Sequence, residues 1–396
     1  MRNFVYHVPT EVVFGVDAEQ QTAQYVKKYN GSRVLVIYGG GSAVKSGLLD
    51  RICKQLEDAG LVCEATGGVQ PNPRVSFARK AVEKALDMKA DMILGLGGGS
   101  VIDTAKAVAH GAANPGRDVW HDIWCKPEEL KKSLPVAAIP TIPAAGSETS
   151  DSAVLTDEES GIKKGLTTQL NRPAFAILDP VLAATLPAYQ VGCGVTDIMM
   201  HTLDRYFNPC TDNDITDEFA EALLRVVVRN GRAVVKDPAD THAMSEIMWC
   251  GSLSHNGLTG LGGKKDFAPH QLSQAIGGIF DKAHGACLAA IWGSWARHVY
   301  KTNPGRFARY ARNVWSIEGC GSVEDAALAG IEASETYFKE LGMPIGLPEL
   351  IGKQDAKGLD ALARQCSFGG KRTIGTFQVL DEADMRAIFA AANERL

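Results

Sequence analysis

Residues 91 to 113 read DMILGLGGGSVIDTAKAVAHGAA. An apolar run ends in three glycines and a serine, and a helix-like segment starts at once. Strand, glycine turn and helix in that order form the unit from which parallel sheets are built. The same order occurs earlier. RVLVIY (33–38) runs into GGGS (39–42), then into a segment with Leu48, Leu49, Ile52 and Leu56 at helical spacing. LVCEAT (61–66) reads as the next strand and RVSFARKAVEKALDM (74–88) as the next helix. VAAIPT (136–141) and FAILDP (175–180) read as further buried strands. This rhythm predicts a mostly parallel sheet with helices on both faces.

After LDPVLAATLP the texture changes. From about Tyr189 onward the patterns are long and helical, with almost no β-branched runs. TDEFAEALLRVVVRNGRAVV, VEDAALAGIEASETYFKEL and EADMRAIFAAANERL are examples. Pro180 and Pro187 punctuate the junction. The expected organisation is an α/β domain over 1–187 and an all-helical domain over 188–396. A chain of 396 residues is long enough for two such cores.

Composition narrows the function classes. Hydrophobic residues make up 45% and charged residues 22%, ordinary for a soluble globular protein. The net charge of −5 and the lack of a basic run argue against nucleic acid as a partner. No run of about 18 apolar residues predicts a membrane span. The opening MRNFVYHVPTEVVFG has no continuous apolar core of the kind secretory leaders carry. Nine cysteines, an odd number without a C-x-x-C pair, read as reduced thiols in a cytoplasmic protein.

Both GGGS turns follow a strand and precede a helix. Glycine lets the backbone approach a ligand closely. The N–H groups of a helix start can hold phosphate. In an open parallel sheet, ligands sit beyond the carboxyl ends of the strands, where these turns lie. Two such turns in one sheet favour a nucleotide over plain connections, although neither completes G-x-G-x-x-G. A third loop, PTIPAAGSETSDSAV (140–154), is rich in small hydroxyl residues that suit ribose, phosphate or an amide.

Asp197 and His201 stand four residues apart in GVTDIMMHTLDRYF (194–207), on one face if that stretch is helical. Alone, such a pair is more often a solvated or hydrogen-bonded couple than a metal site. His270 and His284 bracket LSQAIGG and the residues after it. They would share a face on an unbroken helix, and Gly277 and Gly278 make a bend plausible. One carboxylate and three imidazoles would suit zinc, iron(II) or a similar ion. Cys193 could join the Asp197 face, but Gly192 and Gly194 place the expected helix start after it. Asp204 reads as an outer partner of that pair or as a surface group. His7, His110, His121, His242, His255 and His298 lack a spaced partner and read as structural or exposed. G-x-S-x-G is absent, which removes the usual serine hydrolase reading.

These motifs together carry a family resemblance. GGGSVIDTAK (97–106), PTIPAAGSE (140–148), FAILDPVLAATLP (175–187), GVTDIMMHTLD (194–204) and HQLSQAIGGIFDKAHG (270–285) resemble those of the iron-containing, or group III, alcohol dehydrogenases. VIYGGGSAVKSG (36–47) and GVQPNPR (68–74) are similar to the butanol dehydrogenase-like aldehyde reductase branch. The resemblance implies a dehydroquinate synthase-like architecture, with a dinucleotide domain, a helical domain and a metal in the cleft between them. It implies Asp197, His201, His270 and His284 as ligands of one divalent ion, Fe2+ or Zn2+. Gly98, Gly99 and Ser100 would hold the pyrophosphate, with Asp103 near the nicotinamide. Gly40, Gly41, Ser42, Asn72, Thr141, Ser150 and Lys163 match other positions that touch the cofactor. The substrate would be a small alcohol or aldehyde, and the assembly a homodimer.

Two positions depart from the pattern. NAD-using members of the family resemble one another in an acid just after the strand that leads into the first GGGS, and here that position is Gly39. With no carboxylate to repel a 2′-phosphate, and with Ser42 and Lys45 nearby, NADP(H) is expected over NAD(H). Many members carry a histidine four residues past the third ligand, suited to proton relay, and here Gln274 stands there. Two other readings stay open: a lyase on the same scaffold, and a nucleotide-sensing protein without catalysis.

Overall fold

The computed structural model describes residues 1–210 and 212–395. The chain divides into two compact units, His7–Thr185 and Met1–Tyr6 with Leu186–Leu396. The first six residues therefore belong with the helical unit rather than with the α/β residues that follow them. Arg2 N–H donates to Gly262 O at 3.1 Å there.

The α/β unit holds β1 (Glu11–Phe14), α1 (Thr22–Lys28), β2 (Arg33–Tyr38), α2 (Ser42–Lys45), α3 (Leu48–Asp58), β3 (Val62–Thr66), α4 (Val75–Asp87), β4 (Met92–Gly97), α5 (Gly99–Ala113) and β5 (Val136–Pro140). It continues with β6 (Ser152–Asp157), β7 (Ile162–Thr167) and β8 (Phe175–Leu178). Six strands form one sheet in the order β1-β8-β5-β4-β2-β3, and every pairing in it is parallel. The alternation of side chains along each strand divides the core between two faces. Val34, Val36, Leu94 and Leu96 pack with Val26, Ile52 and Leu56 from α1 and α3. Leu35, Ile37 and Ile93 point the other way, onto Ala81, Ala85, Ala105 and Val108 from α4 and α5. The helical spacing of Leu48, Leu49, Ile52 and Leu56 is the buried stripe of α3.

Sequence periodicity missed β1 and the antiparallel hairpin β6–β7, which pairs Ser152 with Thr167 through Asp157 with Ile162. IKKGLT, the second arm of that hairpin, carries two lysines and a glycine. Its alternation is too polar to stand out from a loop.

The helical unit contains α6 (Ala188–Tyr206), α7 (Asp214–Lys236), α8 (Thr241–His255), α9 (Ala268–Phe280), α10 (His284–Val299) and α11 (Pro304–Trp315). α12 (Val323–Glu340), α13 (Leu347–Ile351), α14 (Ala356–Cys366) and α15 (Glu382–Asn393) complete it. Local signals set several ends. Asp240 caps α8 by accepting from Ala243 N–H, Asn303 caps α11 before Pro304, and Asp381 with Asp384 makes a capping box on α15. α7 is two-faced, with Ala220, Leu223, Leu224, Val227 and Val228 buried. α6 and α10 are buried along most of their length. An aromatic group anchors the interior, with Phe207 and Phe307 stacked at 4.2 Å. Arg306 pairs there with buried Asp217, its Nη2 2.5 Å from Oδ1. Among the described residues, no helix is long and apolar enough to cross a membrane.

Candidate functional site

Four side chains converge inside the helical unit. Asp197 and His201 sit one turn apart on α6, His270 lies near the start of α9, and His284 is the first residue of α10. One ligand-capable atom each from Asp197, His201 and His270 lies within 4.8 Å of the others. His284 approaches from the fourth side, its Nε2 3.7 Å from Asp197 Oδ1.

Two expectations about these elements are corrected. α6 begins at Ala188, so Gly192, Cys193 and Gly194 are helical. Gly192 serves close packing rather than a helix start, since a Cβ there would come within 2.4 Å of Leu341 O. The bend between the two histidines falls at 281–283 rather than at Gly277 and Gly278, which remain in α9. Asp281 ends α9 with φ 47, in the left-handed region that stops a helix.

Hydrogen bonds fix how each group faces the centre. His201 Nδ1 lies 2.9 Å from the backbone carbonyl of Asp197 one turn earlier, which leaves Nε2 with the lone pair. His270 Nδ1 lies 2.5 Å from Asp204 Oδ2, so its Nε2 is likewise the inward atom. Asp204, read from sequence as an outer partner or a surface group, is fully buried in the first of these roles. Asp197 Oδ1 and His270 Nε2 are buried, have no hydrogen-bond partner, and stand 3.6 Å apart. That is too long for a hydrogen bond. It is near the roughly 3.4 Å edge between neighbouring ligands at about 2.1 Å from one tetrahedral ion. Two orphaned acceptors aimed at one point fit a divalent cation.

The electrostatics agree. Burial works against the Asp197 charge, but the nearby His201, His284 and His270 imidazoles hold its carboxyl well below the usual range. Burial pushes His201 down, toward the neutral form that binds metal. Burial also opposes charge on His270, yet the facing Asp204 and Asp197 carboxylates prevail and raise it to about 9. This excess of negative charge around His270 is what a cation would neutralise. His255, read from sequence as lacking a partner, stacks on His201 with ring centroids 4.0 Å apart. It lies on α8, and no spacing along the chain could have paired it with α6. Gln274 sits one turn past His270 on α9.

The expected cofactor residues all lie in the α/β unit, most of them in the turns and loops that follow its strands. Gly40, Gly41 and Ser42 connect β2 to α2. Gly98, Gly99 and Ser100 connect β4 to α5, whose first-turn N–H groups open toward that end of the sheet. Thr141 follows β5, with its N–H on Gly97 O at 3.1 Å. Asn72 and Lys163 pair across the loop before α4, Nζ to Oδ1 at 3.0 Å. Asp103 is half-buried and held in a network: it accepts from Ser147 Oγ at 2.6 Å and from Val154 N–H at 2.9 Å. Ser150 joins through its carbonyl, which faces Lys106 Nζ at 3.3 Å.

Lys106 was not singled out from the sequence. It is fully buried and also donates to Ser147 Oγ at 2.8 Å and Ser152 O at 2.7 Å. Burial lowers its pKa to about 8, against the nearby Asp103. Asp103 and Lys106 stand three apart on α5, and that i, i+3 spacing was the available signal. The network ties the loop after β5 to α5 and so shapes the mouth of the second glycine turn.

Comparisons with known proteins cover nearly the whole chain. A model described as iron-containing alcohol dehydrogenase matches residues 9–180, and that of the C-terminal part of the same family matches 192–393. The chain is 34% identical to the probable NADH-dependent butanol dehydrogenase 1 of Bacillus subtilis, covering 99% of this chain and 100% of that one. It is 32% identical to the NADPH-dependent aldehyde reductase YqhD of Escherichia coli, again over 99% and 100%. The crystal structure of NADH-dependent butanol dehydrogenase A from Thermotoga maritima superposes with a TM-score of 0.94 at 32% identity, covering 99% of both chains. The chain belongs to the iron-containing alcohol dehydrogenase family, whose members are NAD(P)-dependent oxidoreductases.

Proposed function

We propose that this enzyme interconverts small aldehydes and primary alcohols with NADP(H), using one divalent ion held by Asp197, His201, His270 and His284. The reading rests on one observation above the rest: the buried, unpartnered Asp197 Oδ1 and His270 Nε2 face each other within a cluster that also includes His201. When bound, the ion supplies Lewis acidity toward the substrate oxygen, and the nicotinamide supplies or accepts the hydride. The chain's own groups do the rest. Asp197 contributes the one formal negative charge of the set, so a divalent ion keeps net positive charge for the substrate oxygen. The Asp197 carbonyl and Asp204 orient the His201 and His270 rings. Asp103, locked by Ser147 and Val154, sets the floor on which the nicotinamide end would rest.

Reduction of an aldehyde consumes one proton in addition to the hydride. Gln274 cannot supply it, because an amide is neither acid nor base near neutral pH. We assign that proton to solvent reaching the site or to the cofactor's ribose hydroxyls.

NADP(H) preference rests on Gly39. No carboxylate follows β2 to repel a 2′-phosphate, and Ser42 and Lys45 of α2 lie just beyond. The relatives include NADH-dependent and NADPH-dependent enzymes at nearly equal identity, so their names do not decide the matter.

The test is direct. Enzyme supplied with Fe2+ or Zn2+ is assayed with short- and medium-chain aldehydes and either NADPH or NADH. Metal-dependent oxidation of NADPH, with higher kcat/KM than for NADH, is expected. No turnover with any aldehyde or alcohol would overturn the activity, and a higher kcat/KM with NADH would overturn the reading of Gly39. Asp197→Ala and His270→Ala should each lose bound metal and activity, and normal metal content in both would refute the ligand set.

A further inference from the structure

A second group of acids lies in the α/β unit, away from anything used above. β1 and β8 are parallel neighbours, with Phe14 opposite Leu178 at their ends. The chain leaves β1 through Gly15, whose N–H donates to Leu178 O at 3.0 Å, and turns through Asp17 and Glu19 before α1. It leaves β8 at Asp179. Strand pairing thus brings three carboxylates to one corner, and an oxygen of each lies within 4.8 Å of the others.

Burial makes this corner unusual. Glu19 is 5% exposed and Asp179 2%. Asp179 is satisfied as a carboxylate, accepting from Val181 N–H at 2.9 Å and from Asp17 N–H at 3.2 Å. Glu19 Oε2 is buried and has no hydrogen-bond partner. The amide of Gln55, oriented to satisfy both its ends, donates to the backbone oxygens of Glu19 and Gln20 at 3.1 Å rather than to the carboxylate. Burial, then the facing Asp179, pushes the Glu19 carboxyl up to about 7, and Asp17 adds to the same effect. The side chains that act on it most strongly are these two acids. Buried like charges without a counter-charge are strongly unfavourable.

We propose that Asp17, Glu19 and Asp179 form a calcium site that clips the end of β1 to the end of β8. Carboxylate oxygens without sulfur or imidazole select a hard cation. Three carboxylates gathered at one corner suit calcium, which takes about 6–8 oxygen ligands in a flexible shell, whereas magnesium keeps several waters and is usually held by one or two carboxylates. The unpartnered Glu19 oxygen supplies the inner ligand, and exposed Asp17 provides the route of entry. Water completes the shell.

The experiment uses the metal-loaded enzyme, dialysed into calcium-free buffer. Bound calcium is counted by elemental analysis, and CaCl2 is titrated by calorimetry, so a retained ion and an added ion both register. One calcium per chain is expected beyond the catalytic metal, with a calcium-dependent rise in Tm. Asp17→Asn, an exposed change that should leave the fold and kcat/KM intact, weakens calcium at least tenfold, and Glu19→Gln does the same. The proposal is overturned if the wild type neither retains nor binds calcium, if both variants bind it as the wild type does, or if MgCl2 binds more tightly than CaCl2.

Discussion

Asp204 Oδ2 lies 2.5 Å from His270 Nδ1, and both groups are buried. The contact fixes the ring plane and leaves Nε2 pointing at Asp197. Such outer carboxylates are worth tenfold to about a hundredfold in metal affinity. Asp204→Ala is therefore expected to lower metal affinity by about that factor, and Asp204→Asn by less, since an amide oxygen still accepts from Nδ1–H. Metal retained after dialysis against a graded chelator series measures both. Equal retention by wild type and Asp204→Ala would show that the ring is held by other means.

Gly285 makes a second, steric control of the site. It follows His284 at the start of α10, and a Cβ there would stand 2.1 Å from Cys193 O on α6. The obstacle is backbone, so one helix must move. Gly285→Ala should destabilise the enzyme by about 1–3 kcal/mol, as overpacking does. It should also draw His284 away from Asp197. A lower Tm and a reduced metal content together are the expected result. A normal metal content with a lowered Tm would mean that the shift is absorbed away from His284.

How far the sequence foretold all this depends on the range of the interaction. Strand, turn and helix in the first half are local patterns, and β2, β4, β5 and α3 to α5 fall where the apolar spacing puts them. The pair Asp197 and His201 is also local, one turn of one helix. The rest needed tertiary contact. Gly192 and Gly194 looked like a helix start because glycine is a breaker in isolation, whereas the approach of Leu341 explains Gly192. The break before His284 was placed at Gly277 and Gly278, yet Asp281 makes the turn. The stacking of His255 on His201 and the Asp204 contact join separate stretches of chain, and no local rule reports such contacts.

Cofactor choice can be tested by restoring what Gly39 lacks. A Cβ at Gly39 would meet only Val101 Cγ2 at 3.6 Å and Val69 O at 3.7 Å, ordinary contact distances. An aspartate can therefore be introduced without strain. Gly39→Asp should lower kcat/KM with NADPH and spare that with NADH, moving their ratio at least tenfold toward NADH, or about 1.4 kcal/mol. The carboxylate would repel a 2′-phosphate and accept from a 2′-hydroxyl. An unchanged ratio would show that the adenosine ribose does not approach this residue.

His110 is expected to make the α/β unit sensitive to acid. It is fully buried on α5, with Nε2 2.8 Å from Asn171 Oδ1 and Nδ1 2.9 Å from Ser133 Oγ. Asn171 Nδ2 donates to Leu166 O and Asp151 O, so its oxygen faces the ring and Nε2 must carry the proton. The ring is thus held neutral, and burial lowers its pKa to about 4 from 6.5. Between these values the unfolded chain binds a proton that the native state refuses. Stability from this group is complete above pH 6.5 and drains away as pH falls toward 4, by about 3 kcal/mol in all. His110→Gln keeps a donor for Asn171 and removes the titration. Its unfolding free energy at neutral pH should be lower than the wild type's, but should fall less steeply between those two pH values. Denaturant unfolding of both proteins across that range isolates the difference, because every other group titrates in both. Parallel profiles would place the acid sensitivity elsewhere.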